Sequence, residues 1–242
     1  MTAILQMLSL SVAVFLGGLV SGVSGFAFSA VAGAILLQFY PPVVAVPLLM
    51  ACALIAQLYS LFNLRGSMEW ARSLPLIAGG VVGMPLGLYA LRNVDAHSFR
   101  VGFGVFLAAY AAYMLLRPAT VGVREAGGKV TSTAIGFGGG VIGGLTAFPG
   151  ALPTMWCDIR GLPKEVKRGL TQPFIASMQF FGFSLMALHG DLGPDIAWKL
   201  AWSLPALIIG TVIGLAMFGK VNDLVFRRIV LSALFVSGLA LI

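Results

Sequence analysis

Charge is what this chain of 242 residues has least of: Asp, Glu, Lys and Arg together make up 10% of it, against 59% hydrophobic residues. A water-soluble domain carries about 25% charged residues, so a soluble fold is excluded. Cysteine is scarce as well. Cys52 and Cys157 are the only two, neither in a CxxC pair, which indicates neither a disulfide scaffold nor a zinc site. The formal net charge of +7 comes without a basic domain or an aromatic-basic stripe. The basic residues lie between apolar runs, so they are topology signals rather than a nucleic-acid surface. No Lys or Arg precedes the opening run MTAILQMLSLSVAVFL. It therefore lacks the basic segment of a secretory signal and is expected to be retained. This reading also places no Asp, Glu, Lys, Arg or His deep in a long apolar run, which counts against a proton relay. No catalytic activity, cofactor or metal is expected.

What is abundant is apolar sequence of membrane-span length. Runs of roughly 20 apolar residues match the thickness of a bilayer core, and residues 43–63, 73–91, 99–116, 166–188, 196–218 and 224–242 qualify. Two further stretches, 4–39 and 130–159, are too long for one helix and are broken near clustered glycines. The longest polar stretch, 117–129, contains Pro118 and three glycines and reads as a linker.

The two broken stretches begin alike. GGLVSGVSGF at 17–26 returns as GGVIGGLTAF at 139–148, and the offset of 122 holds without a gap to Gln57 and Gln179. A second match, Ser73-Leu74-Pro75 with Ser203-Leu204-Pro205, has an offset of 130, as an insertion in the polar stretch 189–195 would produce. The chain is a duplication, and internal repeats in a strongly apolar chain mark secondary transporters. The basic residues then choose the topology. If the broken stretches are hairpins that enter and leave on one face, Arg92, Arg100 and Lys199 lie on one side and the other twelve Lys and Arg on the opposite side. If each is a single span, the division is 6 to 9 and says little. Cytoplasmic loops collect Lys and Arg, so the hairpin reading is favoured and both termini are expected outside. The predicted fold is an all-α integral membrane protein of two inverted-topology repeats, each a broken helix hairpin followed by three transmembrane helices. Its parts are residues 1–117, a linker 118–129, and 130–242.

The breaks are where chemistry is expected. A helix restarting after a glycine-rich turn presents free amides and a positive dipole end, a setting that holds anions without a buried full charge. Ser24 and Thr146, at equivalent positions, add hydroxyls. Gly25 and Gly150 give the turns, and Phe148 lies within the second break. Gln57 and Gln179 are equivalent amides in the following helices, and Gln172 makes the second of these helices more polar than the first. The candidate substrate residues are therefore Ser24, Gly25, Gln57, Thr146, Phe148, Gly150, Gln172 and Gln179. The same small residues at four-residue spacing also suit close helix packing, and a buried Gln also suits an interhelical hydrogen bond. Expected partners are a small anion and the lipid bilayer, with no nucleic acid.

The glycine-rich block opening each half, GGLVSGVSGF and GFGGGVIGGLTAFPG, together with RGLPKEVKRGL followed by TQPF, resembles the sulfite exporter TauE/SafE family of bacterial membrane permeases over essentially the whole chain. The resemblance implies an exporter of sulfite, organosulfonates or related small anions in the bacterial inner membrane, where the termini that the charge division puts outside are periplasmic. Family members often carry a Gly-Gly-Gly run at the first break. Ser24-Gly25-Phe26-Ala27-Phe28 stands there instead, which implies a bulkier or more apolar pocket. Two other classes stay open. One is a membrane thiol-disulfide carrier, although Cys52 falls opposite Phe174 and Cys157 opposite Ile35, so the cysteines are not repeat mates. The other is an assembly subunit without transport of its own.

Overall fold

The computed structural model describes residues 2–64, 66, 68–116, 128–218, 220 and 223–242. Without water, a backbone must satisfy its own polar groups, and the apolar runs do so as helices. Ten are described: α1 (Thr2–Ser24), α2 (Phe28–Phe39), α3 (Pro42–Leu64), α4 (Trp70–Asn93), α5 (Ala96–Leu116), α6 (Lys129–Thr146), α7 (Ala151–Ile159), α8 (Lys164–Leu188), α9 (Pro194–Met217) and α10 (Asp223–Leu239). Five of them, α1, α3, α4, α5 and α9, are long and apolar enough to cross a membrane, so the chain is a multi-pass membrane protein. α8 is equally long but carries Lys164, Glu165, Lys167 and Arg168 in its first turns. Most of the predicted linker, 117–127, lies outside the described residues, as do Arg65, Arg117 and Arg124 of the charge count.

Both broken stretches fold back on themselves. Gly17 of α1 packs on Phe28 and Ala32 of α2, and the Tyr40 hydroxyl donates to Gln6 O at 3.0 Å. In the second half Gly139 and Gly143 of α6 meet Pro153 and Pro149. At 1.5 Å per residue the returning arms α2 and α7 are only about 18 and 14 Å long, short of the roughly 30 Å hydrocarbon core. They are re-entrant in length, and the irregular backbone between the arms is buried in protein, as membrane depth demands.

Small residues set which helices touch. α4 and α6 run parallel, with Gly79 against Thr133, Gly83 against Phe137 and Gly87 against Val141. α1 and α9 also run parallel, with Gly18 against Leu207 and Thr211 and Gly22 against Gly214 and Leu215. A Cβ on Gly22 would lie 2.6 Å from Leu215 N, so this seam admits only glycine. Two antiparallel pairs complete the bundle. α3 meets α8 where Met50 touches Gly182 and Gln57 faces Gln172. α5 meets α10 where Gly104 packs on Gly238 and Leu241. The residues beyond the predicted insertion are largely helical, since α9 runs through 194–202 before the matched Ser203 while α4 runs only through 70–72 before Ser73.

Candidate anion site at the helix breaks

The breaks are alike in backbone as well as in sequence. Gly25 has φ +87° and Ala147 has φ +57°, the only positive φ of a non-glycine among the described residues. Gly25 N donates to Ser21 O and Ala147 N to Gly143 O, both at 2.7 Å, which ends each helix in a left-handed residue and satisfies one of its last carbonyls. The Ser24 hydroxyl donates to Val20 O at 2.8 Å and the Thr146 hydroxyl to Ile142 O at 2.7 Å. Both protons are thus turned toward the helix backbone in this conformation. The Ser24 oxygen also accepts long bonds, 3.4 Å each, from the amides of Phe26 and Ala27, where α2 begins.

The first break collects polar side chains from three helices. Gln57 on α3 donates to Gly25 O at 3.1 Å, and Gln172 on α8 donates weakly to Gln57 Oε1 at 3.5 Å. Arg168, one turn before Gln172, donates to Gly22 O at 3.1 Å and Val23 O at 3.5 Å. Its guanidinium lies over the ring of Phe218, 4.1 Å from the centroid. Arg168 is only 5% exposed, and its Nε, like Oε1 of Gln172 and of Gln179, is buried without a partner. This corrects the sequence reading, which found no charge buried in the spans. Arg168 stands early enough in α8 to be counted with the basic loop before it. The fold nevertheless carries it inward, where the unpaired carbonyls ending α1 receive it.

The second break lies behind an aromatic layer. Phe26 and Phe148, equivalent by the offset of 122, stack with centroids 6.1 Å apart, and Tyr110 and Phe106 meet Phe148 edge-on at 5.9 and 6.4 Å. Gly150 packs against Ile175 and Phe26. Among the predicted residues, Ser24, Gly25, Gln57 and Gln172 therefore come together. Thr146, Phe148 and Gly150 form the other side of the stack, and Gln179 sits two turns further along α8.

A cavity of about 210 Å³ opens on the first break. Its apolar wall includes Val23, Phe26, Met114, Leu231 and Leu234, and its polar wall Ser24, Asp158, Lys164, Lys167 and Arg168. Asp158 accepts from Lys167 Nζ at 2.8 Å, and Lys164 shares the Phe218 ring with Arg168. Sequence reasoning missed Lys164, Lys167 and Arg168 as site residues, yet the repeat held a signal. At the offset of 122 they stand opposite Pro42, Ala45 and Val46, so the two halves differ most in charge here.

A helical bundle of membrane-crossing length, two buried helix breaks and a cavity that joins cations to an apolar wall define a membrane permease. The chain belongs to the sulfite exporter TauE/SafE family, whose model matches residues 10–241, a family of membrane transporters. Neither a curated protein nor a solved structure gives a significant match.

Proposed function

We propose that the chain is a secondary transporter that exports a small sulfur-containing anion, such as sulfite or an organosulfonate, by alternating access around the two helix breaks. The observation that carries this reading is the meeting of the breaks at the Phe26–Phe148 stack, with the cation-lined 210 Å³ cavity beside it. That arrangement reads as an inward-facing state whose closed layer is the stack. Inverted repeats, 1–117 and 130–242, are supported by the packing: exchanging the halves turns α4–α6 into α9–α1 and leaves α3–α8 and α5–α10 as antiparallel pairs. In the inner membrane, with periplasmic termini, the cavity faces the cytoplasm. Ser24, Gly25, Gln57 and Gln172 then receive the anion from inside. Thr146, Phe148, Gly150 and Gln179 receive it after the halves exchange roles. Each hydroxyl turns from its helix carbonyl to the substrate on binding.

The test is transport by the purified protein in liposomes loaded with sulfite, sulfoacetate, taurine or sulfate. Export of at least one, carried equally by a Cys52→Ala/Cys157→Ala variant, is expected. No flux of any of the four would leave the assembly-subunit reading, and loss of flux on removing the cysteines would favour the thiol-disulfide carrier.

A further inference from the structure

We propose that Lys167 and Arg168, with Lys164 beside them, form a one-sided anion receptor in which Asp158 is a built-in counter-ion that the substrate displaces. The proposal rests on the transport reading above and adds the charges that recognise the substrate.

Three cations lie within the first turns of α8, at the end of a helix whose dipole disfavours positive charge. Lys164 and Arg168 are four residues apart and both lie against the ring of Phe218, 4.4 and 4.1 Å from its centroid, a spacing at which like charges repel. All three line one cavity, and among the described residues the carboxylate lining it is that of Asp158. Buried charges are ordinarily matched; Arg168 is buried and its hydrogen bonds go to the carbonyls of Gly22 and Val23 rather than to a carboxylate, so an entering anion supplies the charge it lacks. Arg168 has a further N–H to give, since its buried Nε has no partner and faces the bare backbone of Gly25, where a Cβ would lie 3.2 Å away.

The opposite end of the bundle lacks this feature. The cavity there, about 340 Å³, is lined by one cation, Arg92, and two carboxylates, Asp191 and Asp195. Arg92 pairs with Asp191 at 2.5 Å, and Lys199 pairs with Asp195, so no cation is in excess. Pro42, Ala45 and Val46 hold the positions equivalent to Lys164, Lys167 and Arg168. An anion is therefore bound more tightly from the α8 end than after the halves exchange roles, while the gradient and the membrane potential set the direction of net flux.

Asp158 gives the receptor its release. It ends the re-entrant arm α7, and its side chain and that of Lys167 are 12% and 21% exposed. An anion that takes Lys167 frees α7 from α8, and the returning carboxylate expels the anion. Asp158 and the substrate thus compete for the same cation.

The experiment measures methanesulfonate affinity of the detergent-purified protein by calorimetry, beside efflux of the same anion from liposomes. Lys167→Gln and Arg168→Gln are each expected to weaken affinity at least tenfold. Asp158→Asn should tighten it severalfold and slow efflux. Because Arg168 also holds the end of α1, Arg168→Gln may be replaced by Arg168→Lys if it does not fold, and Lys167→Gln and Asp158→Asn decide in either case. Affinity that does not fall in Lys167→Gln, or does not rise in Asp158→Asn, overturns the proposal while wild-type efflux leaves the transport reading standing. Absence of wild-type efflux of every anion in the panel defeats the transport reading itself.

Discussion

Gly25 and Ala147 occupy equivalent positions and share a left-handed backbone that only one of them adopts freely. The left-handed conformation costs an alanine roughly 1–2 kcal/mol, and a residue that bears such a cost belongs to a turn its surroundings enforce. Gly25→Ala should lose about that much stability. It should also push on Arg168, whose Nε would lie 3.2 Å from the new methyl group. Ala147→Gly should raise stability by less than about 1 kcal/mol, because relieved strain is offset by the greater freedom of glycine in the unfolded chain. Thermal unfolding in detergent compares the two variants. Equal stability in Gly25→Ala and wild type would mean the first break relaxes its backbone at no cost.

At the scale of elements, much was legible. The six predicted spans fall on the helices α3, α4, α5, α8, α9 and α10 to within a few residues, and α3, α4, α5 and α9 are long and apolar enough to cross a membrane, because a run of apolar residues in lipid must satisfy its own backbone. The breaks were legible from the clustered glycines and the offset of 122. The lengths of the returning arms were not, since apolar sequence continues past the end of α2 into α3 without a polar gap. Nor was the depth of Arg168, which depends on where α1 ends in space. The directions of the helices now sharpen a topology test on a background of Cys52→Ala and Cys157→Ala. Cysteines at the exposed positions of His97 and His189 should label from outside, and cysteines replacing Arg72 and Lys220 from inside. Were the broken stretches single spans, Arg72 would share a face with His189 and His97 with Lys220. That pairing in the labelling data would refute the hairpins.

At the scale of the whole molecule, the distribution of charge sets the driving force. The receptor cations belong to the protein and do not cross with the anion, so each cycle moves the substrate's own charge. Arginine keeps its proton at every physiological pH, and the amides and the Ser24 hydroxyl at the first break do not titrate near neutrality. With an inside-negative potential of about 100 mV, export of one negative charge gains roughly 2.3 kcal/mol, enough for a gradient of about 40- to 50-fold at 1.4 kcal/mol per decade. Efflux of methanesulfonate, whose charge is fixed, should therefore rise with potential in liposomes clamped by potassium and valinomycin, and stay level when a pH gradient is imposed at zero potential. Sulfite is a poorer probe because its own protonation changes in this range. Efflux indifferent to potential but accelerated by an opposing proton gradient would refute electrogenic movement. It would instead point to proton transfer at the Asp158–Lys167 pair, whose carboxylate and ammonium meet at 2.8 Å, and Asp158→Asn should then abolish that response to pH.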